Sequence, residues 1–338
     1  MKPMTPRERF HAVAAFKPFD QLPRVEWAFW WNQTIDRWKS EGLSVTDRYA
    51  LFRHFGLDIY YQDWCMPNLP APATHGAPLA SSHAEYDELR KSIYPAEPVN
   101  RLRWQQWALE QQRGEAVLWF SIRGFFAAPR AILGIEPHLY AFYDEPELMH
   151  RINEDTLEFN LRIIDQIGSV TTPDFMTFME DLSYNHGPML SKQQFEEFIA
   201  PYYRRIIPEL KKREIRTMVD SDGDISECTA WFRDVGVEGM LPLERQAGVD
   251  MVKMRALYPD MFFLGHYDKM VMPHGEAAMR AEFERLLPIA AQGGFIMSCD
   301  HQTPPGVSLE NYHTYLRLYL EYAQKAGELS QKILPDHL

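Results

Sequence analysis

The chain has 338 residues, 46% of them hydrophobic and 24% charged, the balance of a globular protein able to bury a sizeable core. Its 47 acidic and 35 basic side chains leave a formal net charge of -12 with no basic run, which argues against nucleic acid as a main partner, because phosphate binding needs clustered Lys and Arg. Three cysteines, Cys65, Cys228 and Cys299, are too sparse and odd in number for a disulfide framework and fit a reducing compartment.

The opening MKPMTPRERF has charges but no apolar core behind them, so no secretory leader is expected. No run reaches the roughly 18 apolar residues that span a bilayer. Together these features predict a cytoplasmic protein with no membrane partner. Thr5, Pro6 and Glu8 make a helix start, with a capping hydroxyl, Pro in the first turn and Glu three residues after the cap. That helix is expected to reach Ala15. Pro23 precedes an expected strand over 24–30, and helices are expected over 35–41 and 44–56. Residues 57–116 read as irregular, with a possible strand at 57–62, hairpin strands around 86–93 and a helix over 99–112. A long connection of this kind often covers an active site.

From Val117 the pattern becomes regular. Short apolar runs (VLWFSI, DFMTFM, IRTMV, VEGMLPL, MFFLG, FIMSC) alternate with amphipathic segments such as ELMHRINEDTLEFNLRIIDQI and AAMRAEFERLLPIAAQ. Such alternation predicts a parallel sheet. With the earlier strands the count approaches the eight of a (βα)8 TIM barrel, an α/β fold, carrying an N-terminal helical and hairpin elaboration. The expected organisation is one domain over 1–338, with an irregular part at 1–116 and a regular part at 117–338. No Gly-rich phosphate loop follows the first strand, which argues against a dinucleotide-binding open sheet.

In such barrels the chemistry lies at the C-terminal ends of the strands. Those ends carry Glu26, Arg123, Glu180 with Asp181, Asp220 with Asp222, Glu244, His266 with Asp268, and Cys299 with Asp300 and His301. Imidazole and thiolate suit zinc, so His266 and Cys299 are the first candidates for a metal site, with Asp268, Glu180 or Asp220 supplying a third ligand. The alternative is a hydrogen-bonded core histidine and a small buried cysteine. Asp220-Ser221-Asp222-Gly223-Asp224 lacks the terminal ligating Glu of a calcium loop, and Asp224 is placed to cap a helix from Ile225. Glu180, Asp220, Asp222, Glu244 and His301 are candidate acid–base residues. Glu26, Trp27, Trp30, Arg123 and Tyr267 are candidate substrate-binding residues. The early aromatic cluster is either a packed core or a wall around an apolar substrate.

The segment GGFIMSCDHQTPPGVSLENY resembles the C-terminal signature of the uroporphyrinogen decarboxylase-like superfamily. TPRERFHAVAAFKPFDQLPRVEW, FMEDLSYNHGPMLS, VDSDGDI and GVEGMLPLERQAGVDM extend the resemblance along most of the chain. The superfamily includes porphyrinogen decarboxylases and zinc-dependent, corrinoid-linked methyltransferases. The methyltransferase branch has a His-x-Cys and a later Cys. Here His266-Tyr267-Asp268 and Cys299 stand in those places, with Asp replacing the middle Cys. The resemblance implies a subunit that moves a methyl group from a small substrate, such as a methoxylated aromatic, to a corrinoid. No Asp-x-His-x-x-Gly corrinoid-ligating motif is present, so the corrinoid would arrive on a partner protein. A metal-free porphyrinogen-like decarboxylase is the second reading, opposed by VEWAFWWNQT, which carries Glu26 where those enzymes have an Arg-rich stretch. A non-catalytic tetrapyrrole or small-molecule binder is the third. The apolar stripe of YHTYLRLYLEYA serves equally as a homodimer face or as packing against the barrel.

Overall fold

The computed structural model describes residues 2–334. Its strands are β1 (Ile59–Cys65), β2 (Ala116–Arg123), β3 (Phe175–Met179), β4 (Ser183–Tyr184), β5 (Gly187–Pro188), β6 (Arg216–Asp220), β7 (Gly239–Leu241), β8 (Phe262–Tyr267) and β9 (Phe295–Cys299). Seven form one sheet in the order β1-β2-β3-β6-β7-β8-β9, and β4 pairs with β5 in a separate antiparallel hairpin. Parallel register is set between β2 and β3, β3 and β6, β7 and β8, and β8 and β9. Helices follow most strands, as buried parallel strands require. The architecture is α/β and TIM-barrel-like, but eight-stranded closure is not reached.

The missing strand is 24–30. Two of its backbone donors go to side chains: Arg24 N–H to Asp58 Oδ2 (2.9 Å) and Val25 N–H to the Tyr319 hydroxyl (3.3 Å). Two donors that a ladder would use are thus taken by side chains distant in sequence. The expected hairpin at 86–93 is a helix, His83–Ile93, whose Ser82 cap accepts the Glu85 N–H. Tyr86 and Ile93 are its buried residues, seven apart on one face, a helical period. The helix start at Thr5 forms as expected, with both halves of the capping box around Pro6–Ala14. Asp224 accepts Ser226 N–H, and the following helix begins at Cys228.

The chain forms two compact units, Met1–Tyr61 with Leu109–Val117 and Gly239–Leu338, and Gln62–Ala108 with Leu118–Glu238. In the first, Phe10 packs edge-on against Tyr60 and Phe262. The long helix Leu309–Ile333 adds Tyr312, Tyr315, Tyr319 and Tyr322 to the same core. In the second, the helix Pro146–Gly168 buries eleven side chains on one face, and Gln62, Ser121 and Thr177 form a buried hydrogen-bonded row across β1, β2 and β3. No helix among the described residues is long and apolar enough to cross a membrane.

Candidate functional site

The first unit holds His266 at the end of β8. Gly265 precedes it at φ +120°, and a Cβ there would lie 2.2 Å from the Pro242 carbonyl oxygen. Only glycine lets the two backbones approach this closely. His266 itself sits at φ +65° and Leu243 at φ +58°, left-handed values that are costly outside glycine and cluster at functional sites. The imidazole is fully buried. Its Nδ1 lies 2.9 Å from the Leu243 carbonyl oxygen. A carbonyl only accepts, so Nδ1 carries the proton and Nε2 presents its lone pair. Nε2 has no hydrogen-bond partner. Burial lowers the imidazole pKa to about 4, so the ring is neutral near pH 7.

Cys299 has different surroundings. In the register of β8 and β9 it pairs with Tyr267, whereas His266 pairs with Ser298. The sulfur lies 3.7 Å from both Glu26 Oε1, to which the thiol can donate, and the Tyr315 hydroxyl. Burial, and then the charge of Glu26, push its pKa well above the usual thiol range. Asp268 caps a short 3-10 turn, accepting Met270 N–H at 2.9 Å and the Gln246 amide at 2.6 Å. Ligand atoms of His266, Cys299 and Asp268 do not gather as a metal-holding group of three. Such a group among the described residues is Asp181, Asp220 and Asp222, whose carboxylate oxygens lie within 4.8 Å of one another. The expected His–Cys–Asp ligand set is therefore not assembled, because the thiol is turned to Glu26 and the Asp268 carboxylate to a turn.

Glu26 is a second centre of the same unit. Its carboxyl is nearly inaccessible, at 2% exposure. Around it stand Ser298 Oγ (3.3 Å), Cys299 N–H (3.4 Å), the Cys299 thiol and the Tyr312 hydroxyl (3.4 Å). Burial raises its pKa to about 7, with the hydroxyl and thiol donors pulling back only part of the way. Trp27 donates its indole N–H to the Cys299 carbonyl at 2.8 Å, and the His301 ring meets Trp27 edge-on at 5.8 Å. Asp300 is fully buried and held by Lys269 Nζ at 2.9 Å. Glu244 is half-buried, three residues past β7. Trp30 packs among Trp38, Phe52, Phe55 and Tyr312. Tyr267 is buried against Phe283 and Tyr315. Both belong to aromatic packing rather than to an open substrate wall.

In the second unit Glu180 is fully engaged. One oxygen accepts Phe125 N–H (2.8 Å) and the Tyr203 hydroxyl (2.6 Å), and the other accepts Phe126 N–H (2.8 Å) and Ala127 N–H (3.0 Å). A Cβ on Gly124 would fall 2.1 Å from the Glu180 carboxyl carbon. Glu180 thus anchors the turn after β2 and has no lone pair left for proton transfer. Its neighbour Asp181, at φ +46°, turns instead to the cluster with Asp220 and Asp222. Arg130 donates to the Asp181 carbonyl at 2.6 Å. A cavity of about 460 Å³ is lined by His75, Gly76, Arg130, Asp181, Met189 and Asp222. Arg123 ends β2, with its Nε buried and without an acceptor. Sequence reasoning noted Asp181 only as Glu180's neighbour and passed over Arg130. The signal for Asp181 is an acid at a strand end, but the division of labour with Glu180 depends on a left-handed residue that composition does not reveal.

This combination of parallel strands and flanking helices defines an α/β, TIM-barrel-like protein with acids at its strand ends. The sequence model of the family described as "Uroporphyrinogen decarboxylase (URO-D)" matches residues 52–322, and the chain belongs to that family. Among solved structures, a methyltransferase from Methanosarcina mazei is similar at a TM-score of 0.68 and 13% identity, covering 94% of this chain and 99% of that one. A putative vitamin-B12 independent methionine synthase from Listeria monocytogenes covers 94% and 99% at 12% identity, but its TM-score of 0.42 is too low to carry an argument. The first likeness shows the fold. No curated protein matches.

Proposed function

We propose that the protein is a zinc-dependent methyltransferase or demethylase subunit that moves a methyl group from a small substrate to a corrinoid carried by a partner protein. The observation that carries this reading is His266, a buried neutral imidazole whose Nδ1–H is fixed by a carbonyl and whose Nε2 lone pair has no partner. Metal-binding histidines are oriented by this kind of carbonyl contact. Family membership and the fold shared with a methyltransferase agree with it. The fit to zinc is partial: His266 would hold the ion, while Cys299 would first have to surrender its proton beside Glu26.

Zinc, when bound, would act as a Lewis acid on the heteroatom bearing the methyl group. The protein's own part is to keep His266 neutral and oriented and to supply acids for proton movement at the leaving atom. Glu244 and His301, in the same compact unit as His266, are candidates for that role. The acidic group Asp181, Asp220 and Asp222 offers hard oxygen donors, which favour magnesium or manganese over zinc. The test is methyl transfer from methoxylated aromatics to free cob(I)alamin, followed by its absorbance change. Transfer that requires zinc and is lost in His266→Ala supports the reading. Transfer unaffected by His266→Ala refutes it.

A further inference from the structure

Two strained residues set the geometry at His266, and one side chain ties their segments together. Leu243, whose carbonyl oxygen meets Nδ1, and His266 itself both have left-handed φ values. Such conformations persist only where the surrounding structure holds them. The holding contacts converge on Asp300, the residue after β9. Its N–H donates to the Tyr267 carbonyl at 2.9 Å, one residue past His266. Its Oδ2 accepts the Arg245 N–H at 3.1 Å, two residues past Leu243. Its Oδ1 accepts Lys269 Nζ at 2.9 Å, three residues past His266. Lys269 Nζ also donates to Gln246 Oε1 at 2.8 Å, which leads back to the segment after β7. All of these residues belong to the first unit. Asp300 is fully buried and the Lys269 side chain only 13% exposed. A buried ion pair adds little net stability, because desolvation offsets the attraction. What this one does supply is a fixed distance between two segments.

We propose that Asp300 is the positioning residue of this site. It clamps the segment after β7 to the end of β8, which keeps the Leu243 carbonyl on Nδ1 and the Nε2 lone pair presented. The proposal deepens the methyl-transfer reading and rests on it only for what Nε2 binds. Asp300 acts through Leu243 and hydrogen-bonds neither ring nitrogen. The role needs a carboxylate, because donors arrive at both oxygens. An asparagine has one acceptor oxygen and one donor nitrogen. The Lys269 ammonium makes the stronger, charge-assisted bond and takes the oxygen, so the amide N–H would face the Arg245 N–H and push residues 243–246 away. With the Leu243 carbonyl displaced, the imidazole proton would spread over both nitrogens. Outer contacts of this kind are worth about 10- to 100-fold in metal affinity.

The test is nitrogen-15 NMR of the histidine rings at pH 7 in metal-free wild type, Asp300→Asn and Asp300→Ala, with His266 assigned by the signals missing from His266→Ala. Zinc affinity by chelator competition and thermal melts accompany it. The wild type is expected to show one protonated and one bare nitrogen for His266, with widely separated shifts. In Asp300→Asn the two shifts should move toward each other, and zinc should bind roughly 10- to 100-fold more weakly. Asp300→Ala should show both effects at least as strongly. If it does not fold, Asp300→Asn, which keeps the volume and one acceptor, decides alone. Ring shifts and zinc affinity at wild-type values in Asp300→Asn overturn the proposal, even with a lower melting temperature, because Asp300 would then serve only the fold. The ring shifts need no metal. A wild type that binds no zinc, but whose His266 tautomer depends on Asp300, counts against the methyl-transfer reading alone. Zinc held through His266, with a tautomer indifferent to Asp300→Asn, counts against the positioning role alone.

Discussion

Glu26→Gln tests how the first unit holds its central acid. The Glu26 carboxyl is 2% exposed and has hydroxyl, thiol and amide donors around it but no cation. Burial raises its pKa from an ordinary 4.5 to about 7. Below pH 4.5 the group is protonated in both the folded and unfolded chain and contributes no pH dependence. Between these values the unfolded chain ionises while the folded one resists, so stability falls as pH rises. Above pH 7 the full cost stands, about 3 kcal/mol for a shift of this size. Glutamine keeps the shape and cannot ionise, and the Ser298 and Tyr312 hydroxyls can rotate to meet its amide. Urea unfolding of both proteins from pH 5 to pH 8 reads the difference. The variant should gain on the wild type by about 2.5 kcal/mol across that range, with the change centred between the two pKa values. Parallel stability curves would refute the reasoning, because they would mean that Glu26 ionises as easily folded as unfolded.

Gly124→Ala should cost about 2–4 kcal/mol in urea unfolding, since its Cβ would fall 2.1 Å from the Glu180 carboxyl carbon. Glu180→Gln should cost a similar amount by turning an amide donor against the Phe125 N–H, or against the Phe126 and Ala127 N–H groups, and the double variant should cost less than the sum. His138 is fully buried between Phe126 and Phe142 with neither ring nitrogen partnered. His138→Phe should therefore stabilise the protein by about 1 kcal/mol near pH 7. Burial lowers the His138 pKa from 6.5 to about 3, so the wild type loses stability as pH falls through that window and the variant's advantage grows on acidification. A variant no more stable than the wild type at pH 5 would contradict this.

The regular half of the chain was legible because buried parallel strands read as apolar runs. VLWFSI lies within β2, and FIMSC forms β9 after its Gly-Gly turn. The segment 24–30 was not legible, because its ladder donors are taken by Asp58 and Tyr319, the latter almost 300 residues away. The helix at 83–93 was misread for a local reason: its Ser82 cap and the seven-residue step from Tyr86 to Ile93 were present but outweighed by the surrounding prolines. At the site the chemical classes were visible and the directions were not. Glu180 and Asp181 are adjacent acids, yet one anchors a turn and the other joins a carboxylate cluster. Cys299 and His266 sit at neighbouring strand ends, but a one-residue offset in register pairs Cys299 with Tyr267 instead. Such outcomes depend on register and left-handed backbone, which no single motif encodes.

Zinc content of the purified protein after zinc dialysis, determined by mass spectrometry for wild type, His266→Ala and Cys299→Ala, tests the central claim most directly. The account predicts about one tightly held zinc per chain, lost in both His266→Ala and Cys299→Ala, since zinc needs more than one protein ligand and its binding would draw the proton from the Cys299 thiol. A wild type that holds no zinc, or one whose zinc survives His266→Ala, would contradict it.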